Sequence, residues 1–277
     1  MRMAELPAGE EVAALGQGTW HMGENRSSRE EEIAALQVGL DLGMTLIDTA
    51  EMYAQGESER LIGEAIAGRR DEVFLVTKVL PHHATLEGTV AACEESLRRL
   101  GTDRIDLYLL HWRGRVPLEE TLSAFDRLTA SGRIRHWGVS NFDAGDMEEL
   151  VALASGTAVQ TDQILYNLSR RGCEFDLAPW CHDRGIPVMA YSPVEQGRLL
   201  GHPAIRGVAE RHDATPAQVA LAWTLRDDGV ISIPKASKPS HVHENHAALA
   251  IRLAEEDLLV LDTAFPPPRA GLPLEML

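Results

Sequence analysis

Short apolar runs alternate with amphipathic stretches along nearly the whole chain. The runs lie at 15–20, 44–48, 73–78, 105–111, 134–140, 159–163, 187–191 and 230–234. Those at 73–78 and 105–111 are largely apolar at consecutive positions rather than alternate ones, the pattern of strands buried on both faces in a parallel sheet. Helical periodicity fills the gaps, over 28–42, 57–67, 85–100, 118–130, 146–154, 174–184, 215–226, from 240 onward and over 255–264. Ile33, Leu36 and Leu40 mark a buried stripe on the first of these, and Ser28 three residues before Glu31 predicts a capping box at its start. Val90, Cys93, Leu97 and Leu100 share one face of the third. Pro216 follows Thr215 in the order of a helix N-terminus, and Gly132 and Gly185 mark helix ends. Pro7-Ala8-Gly9 predicts a small N-terminal hairpin, and Pro266-Pro267-Pro268 opens an irregular tail.

Eight strand–helix units predict an α/β fold of the (β/α)8 TIM-barrel class, a single domain over 1–277 with an N-terminal β-hairpin and an extra C-terminal helix. An open dinucleotide-binding sheet fits less well, because Gly16-Gln17-Gly18 lacks the third glycine and the helix that should follow it.

In such a barrel the C-terminal strand ends surround one mouth, where catalytic groups gather. The second run stops at Asp48, with Tyr53 five residues on; the third ends in Lys78 and the fourth in His111. Singly, each has an ordinary explanation as a cap, a solvated lysine or a packed histidine. Together they suit one chemistry. Asp48 supplies the counter-charge a buried Lys78 needs. A cation beside a phenol is expected to lower the Tyr53 pKa and make it a usable general acid. His111 can hydrogen-bond the same oxygen. The set suits protonating a carbonyl oxygen while a hydride reaches the carbon.

Bulk properties narrow the partners. A formal net charge of −16 disfavours nucleic acid and anionic membranes. Residues 1–16 are too polar for a secretory signal, and no run approaches a bilayer span. Cys93, Cys173 and Cys181 have no metal-ligand spacing and suit reduced thiols in a cytoplasmic protein. No metal is expected: His241-Val242-His243 falls in a predicted helix, where its two imidazoles point apart, and His246 does not complete a site.

The ordered motifs Gly18-Thr19-Trp20, Leu46-Ile47-Asp48-Thr49-Ala50-x-x-Tyr53, Gly56-Glu57-Ser58-Glu59-x-x-Ile62-Gly63, Val76-Thr77-Lys78 and Asp106-Leu107-Tyr108-Leu109-Leu110-His111-Trp112 resemble those of the aldo-keto reductases. Gly132-x-Ile134-Arg135-x-x-Gly138-Val139-Ser140-Asn141-Phe142 and Ile233-Pro234-Lys235 continue the resemblance, which covers nearly the whole chain. It implies a (β/α)8 barrel reducing aldehydes or ketones with NADPH, NADH being the secondary candidate, and a catalytic tetrad of Asp48, Tyr53, Lys78 and His111.

The resemblance further implies that Thr19, Trp20 and Asp48 border the cofactor, that Ser140, Asn141 and Gln163 hold the nicotinamide carboxamide, and that Tyr191 stacks on the ring. Ser192, Pro193, Val194, Gln196, Gly197 and Arg198 would wrap the pyrophosphate. Lys235, Ala236 and Ser237 would meet the ribose and its 2′-phosphate, and Glu244 and Asn245 the adenine. His241 stands where many relatives have an arginine, which weakens the case for strict NADPH preference. Trp20, Leu80 and Trp112 would line the substrate pocket. The short connection 112–117 and the short tail after Phe265 imply an open pocket for small aldehydes such as methylglyoxal, in a monomer. The competing expectation is a non-catalytic NADP(H)-binding sensor or assembly subunit with the same fold.

Overall fold

The computed structural model describes residues 1–277. An antiparallel hairpin, β1 (Met3–Glu5) and β2 (Glu11–Ala13), precedes the main sheet. Eight parallel strands follow: β3 (Gln17–Gly18), β4 (Leu46–Asp48), β5 (Phe74–Val79), β6 (Ile105–Leu110), β7 (Ile134–Ser140), β8 (Asp162–Leu165), β9 (Val188–Tyr191) and β10 (Val230–Ser232), each beside its sequence neighbour. The ring closes where Gly16 N–H donates to Ser232 O at 2.9 Å, Ser232 N–H to Ala14 O at 2.7 Å and Gly18 N–H to Pro234 O at 3.1 Å. A Cβ at Gly18 would lie 2.6 Å from the Ile233 carbonyl oxygen, so the seam requires glycine there. The predicted TIM barrel is therefore the observed one.

β5 and β6 are buried at every position, because their outer faces meet helices and their inner faces fill the barrel. The interior, with Leu46, Val76, Leu107, Leu109, Met189 and Ile231, is continuous with Ala4, Leu6 and Val12 of the hairpin segment. Ala8 N–H donates to Gln160 Oε1 at 2.9 Å, just before β8 begins. The hairpin thus stoppers the N-terminal end and leaves the C-terminal strand ends to form the mouth. Cys93, Cys173 and Cys181 are buried, unpaired thiols.

The helices are α1 (Arg29–Asp41), α2 (Glu57–Ala65), α3 (Leu86–Leu100), α4 (Leu118–Ala130), α5 (Ala144–Ala152), α6 (Leu177–His182), α7 (Pro203–Arg211), α8 (Pro216–Thr224), α9 (Pro239–Ala247) and α10 (Glu255–Ala264). Three differ from the sequence expectation. The capping box at Ser28 does not form, because a 3-10 turn capped by Asn25 runs straight into α1 and gives Ser28 helical angles (φ −98°, ψ −5°). Its hydroxyl instead donates to Asn25 O and Glu32 Oε1. The helix predicted over 174–184 divides into a 3-10 turn (Gly172–Glu174) and the shorter α6. α7 goes unpredicted: only Ile205, Val208 and Ala209 are buried on it, too few positions to establish a period.

α10 is the extra helix, and one carboxylate ties it to the end of α7. Asp257, 3% exposed, accepts from Arg211 Nε at 3.0 Å and from Ala254 N–H at 3.0 Å, and pairs with His212 Nε2 at 2.7 Å. Burial works to raise its pKa, but His212, Arg211 and the Ala254 amide outweigh it and hold the carboxyl at about 2. That lies below the unfolded value of about 3.9. The stabilisation is therefore complete above the unfolded value and is lost as pH falls through the folded one. Asp257→Asn is expected to lower stability at neutral pH by on the order of 2 kcal/mol and to flatten the acid limb of the stability curve. Urea melts of both proteins from pH 7 downward measure this; an acid limb equal to the parent's would contradict the assignment.

Candidate active site

Each proposed tetrad residue sits at or just beyond a strand end. Asp48 closes β4, paired with Gly18 on one side and Val76 on the other. Lys78 lies near the end of β5, and His111 follows β6, its N–H donating to Val79 O at 3.0 Å. After Asp48 the chain keeps following β5: Thr49 N–H donates to Val76 O at 2.9 Å and Glu51 N–H to Lys78 O at 3.3 Å. A short turn (Tyr53–Gly56) then presents Tyr53. Ala54 and Gln55 in that turn take φ of 47° and 56°, a left-handed conformation side chains seldom adopt.

These residues meet. Lys78 Nζ, fully buried, lies 2.8 Å from Asp48 Oδ1 and donates to Thr49 O at 2.6 Å and to the Tyr53 hydroxyl at 3.4 Å. The Tyr53 and His111 rings stand edge to face, centroids 6.0 Å apart. Behind Asp48, Thr19 Oγ1 donates to Asp48 O at 2.9 Å, and Ser58 Oγ joins Thr19 Oγ1 at 3.0 Å and Thr49 Oγ1 at 3.2 Å. This buried hydroxyl cluster fixes the backbone that carries the acid.

The electrostatics correct one expectation. Burial pushes the Tyr53 pKa well above its ordinary value, and Asp48 adds to the rise, the reverse of the lowering expected from the sequence. The Lys78 ammonium at 3.4 Å is itself paired with Asp48, which limits how far it offsets these two effects. Tyr53 is accordingly held as a phenol. Within the pair, burial raises the Asp48 pKa and lowers that of Lys78, while their mutual attraction opposes both shifts. Burial, helped by Lys78, drives the His111 imidazole down to about 2. His111 is therefore neutral at physiological pH and carries one N–H to donate.

The rim opposite is assembled from the ends of β7, β8 and β9. Ser140 pairs with Gln163, and Leu165 with Tyr191. Asn141 takes φ 59°, a conformation asparagine tolerates. This lets its Nδ2 donate to His111 O at 3.0 Å while its Oδ1 accepts from the Tyr191 hydroxyl at 3.0 Å. Ser140 Oγ donates to Gln163 O at 2.7 Å. Gln163 Nε2 is committed to Asp48 Oδ1 at 2.7 Å, so its Oε1 remains to accept from a ligand. Tyr191 and Ser192 are half-buried, and Gln196, Gly197 and Arg198 are exposed. Pro193 is buried and Val194 partly so.

Lys235, Lys238 and His241 are exposed at the start of α9, with Ala236 buried and Ser237 half-buried between them. Glu244 already accepts from Thr215 Oγ1 at 2.5 Å, and Asn245 is buried. At the mouth, Trp20 is exposed, while Leu80 and Trp112 are half-buried; Trp112 lies against His111, centroids 4.8 Å apart. Two contributors escape sequence reasoning. Glu51 accepts from Leu80 N–H at 2.6 Å and pairs with His83 Nδ1 at 3.0 Å, joining the Tyr53 loop to the pocket wall. Buried Glu59 accepts from Thr77 Oγ1 at 2.7 Å beneath Lys78 and also pairs with Arg99.

The arrangement can hold a carbonyl oxygen between a phenol and a neutral imidazole beside an aromatic rim. Known proteins resemble the chain as a whole. The model of the Aldo/keto reductase family matches residues 14–264. Methylglyoxal reductase YeaE of Escherichia coli (strain K12) is 49% identical over 280 residues, covering 99% of each chain. Glyoxal reductase of Bacillus subtilis (strain 168) is 33% identical over 267 residues, covering 96% of this chain and 94% of its own. An aldo-keto reductase from Klebsiella pneumoniae, solved in complex with NADPH, superimposes with a TM-score of 0.98 at 49% identity, covering 100% of this chain and 99% of its own. A match of this length and identity admits one conclusion: the chain belongs to the aldo/keto reductase family.

Proposed function

We propose that the protein reduces small aldehydes and ketones to alcohols with NADPH, and that reactive dicarbonyls of the methylglyoxal type are its substrates. The observation that carries this is the convergence of Tyr53, Lys78, Asp48 and His111 from three strand ends, with Lys78 Nζ in reach of both the Asp48 carboxylate and the Tyr53 hydroxyl. The E. coli methylglyoxal reductase at 49% identity supports the substrate class, and the Klebsiella structure supports the cofactor. A role as a sensor without turnover is not favoured, since no tetrad side chain is missing or turned away.

The residues present fit NADPH. α9 starts from Lys238 without a side-chain cap and has no acid in its first turn. With exposed Lys235 nearby, that helix end suits a phosphate. Ser140, Asn141 and Gln163 offer donors and acceptors for a carboxamide, and Tyr191 offers a ring face. When bound, NADPH supplies the hydride. The chain's own groups do the rest. His111 and Tyr53 fix the carbonyl oxygen by hydrogen bonds, which orients the carbon. As negative charge grows on that oxygen, Tyr53 gives up its proton. Lys78, held by Asp48, then stabilises the phenolate left behind. Trp20, Leu80 and Trp112 would supply the apolar wall of the substrate pocket.

In this account 1–277 is one domain, acting as a cytoplasmic monomer without nucleic-acid or membrane partners. The net charge of −16 disfavours nucleic acid and anionic membrane surfaces, and no helix is long and apolar enough to cross a membrane.

Lys235→Ala is expected to weaken NADPH by about 10-fold or more and NADH by much less, since a charge-assisted phosphate contact contributes roughly 1.5–3 kcal/mol. Titration with both cofactors measures it, and equal weakening of the two would remove Lys235 from the 2′-phosphate site. A panel of aldehydes and ketones with NADPH and NADH, reporting kcat/KM for each pair, tests the function. A top rank for methylglyoxal or glyoxal is expected; a top rank for long-chain or aromatic ketones would redirect the substrate assignment.

A further inference from the structure

Glu195 lies within the loop 192–198, yet it is 3% exposed. Its Oε1 accepts from Arg198 Nη2 at 2.7 Å and Arg170 Nη2 at 3.1 Å, and its Oε2 from Asn167 Nδ2 at 2.8 Å. Asn167 Nδ2 also donates to Ser192 O at 2.9 Å. The loop needs such holding, because Ser192, Glu195 and Gln196 have φ of 48°, 48° and 53°, which side chains disfavour. Arg170 faces two ways. Its Nη1 pairs with Glu275 in the C-terminal tail. The same tail sets Gly271 against Phe175.

We propose that Arg170 is a positioning residue that latches the C-terminal tail to the cofactor loop, so that the tail sets the rate at which NADPH leaves. The proposal rests on the assignment of 192–198 to the cofactor pyrophosphate. Opening the loop requires Glu195 to part from Arg170 or to carry it along. Glu275 resists both by pinning the guanidinium from the far side. Without Glu275 the tail loses its charged anchor, Arg170 is free to swing outward with Glu195, and the strained loop relaxes more readily. The Arg170–Glu275 pair is part-exposed, so its removal should change a rate by a small factor.

The test is the release of NADPH from the full-length protein, followed in a stopped flow by tryptophan fluorescence during displacement with excess NADP+. Glu275→Ala is expected to speed release about threefold. Its melting temperature and its single-turnover hydride-transfer rate should equal the parent's. In an Arg170→Met background, Glu275→Ala should add nothing. Arg198→Ala serves as the control for the loop and should weaken NADPH binding. Release from Glu275→Ala at the parent rate, with Arg198→Ala weakened, would overturn the latch and leave the loop assignment standing. NADPH affinity unchanged in Arg198→Ala would overturn the loop assignment and the latch with it. An equal acceleration by Glu275→Ala with and without Arg170 would also overturn the latch, since the tail would then act by another route.

Discussion

Tyr53→Phe is expected to lower kcat for aldehyde reduction by about 10²–10⁴-fold while leaving NADPH affinity within about twofold. The change removes one oxygen and keeps the ring against His111. Lys78 loses only its 3.4 Å contact and retains Asp48 and the Thr49 carbonyl, so the ion pair should survive. What disappears is the proton held ready for the developing alkoxide. Because burial keeps that proton on the phenol, no other side chain at the mouth replaces it: His111 is neutral, with its pKa at about 2, and it can donate a hydrogen bond but is a poor source of a full proton. Steady-state rates and fluorescence titration of the variant measure the two quantities. Parent-like turnover would show that Tyr53 is not the acid.

The second large effect is on stability. Lys78→Met should destabilise the fold by about 3–5 kcal/mol, the cost of orphaning a buried charge. Asp48 is 2% exposed, and Gln163 would be its sole remaining side-chain partner. The orphaned carboxyl can escape part of this by taking up a proton. Its folded pKa then lies above its unfolded value, so the deficit should be small in acid and grow as pH rises from the unfolded value toward the folded one. The double variant Asp48→Asn/Lys78→Met removes both charges and should recover most of the lost stability, but none of the activity. Chemical denaturation of the three variants across pH gives the comparison. A double variant no more stable than Lys78→Met would mean that packing of the lysine stem, not charge pairing, holds this corner.

The barrel was legible because its strands are apolar without alternation and its helices amphipathic. β5 and β6 declare themselves within six residues each. The proposed tetrad was legible for a related reason: Asp48, Lys78 and His111 interrupt or terminate apolar runs, where polar residues need a purpose. Elements without such contrast were not readable. α7 buries three residues and shows no repeat. Glu51, Glu195 and Arg170 lie in polar loops, and only the fold reveals that Glu195 is buried and Glu51 half-buried, and what each holds. Asn25 captured the start of α1 by a local turn that the Ser28–Glu31 spacing does not betray. The direction of the Tyr53 shift was misread because a lysine at a neighbouring strand end is visible in sequence, whereas the burial of the phenol and its distance from the Asp48 charge are not.

The chain is expected to turn over a carbonyl compound with NADPH. Rapid mixing of its preformed NADPH complex with methylglyoxal, followed by the loss of reduced-nicotinamide absorbance, tests it most directly. A burst or steady decay that is abolished in Tyr53→Phe is the predicted result. Tight NADPH binding with no decay, for methylglyoxal and for the rest of a carbonyl panel alike, would contradict it and point to a protein that binds the cofactor without using it.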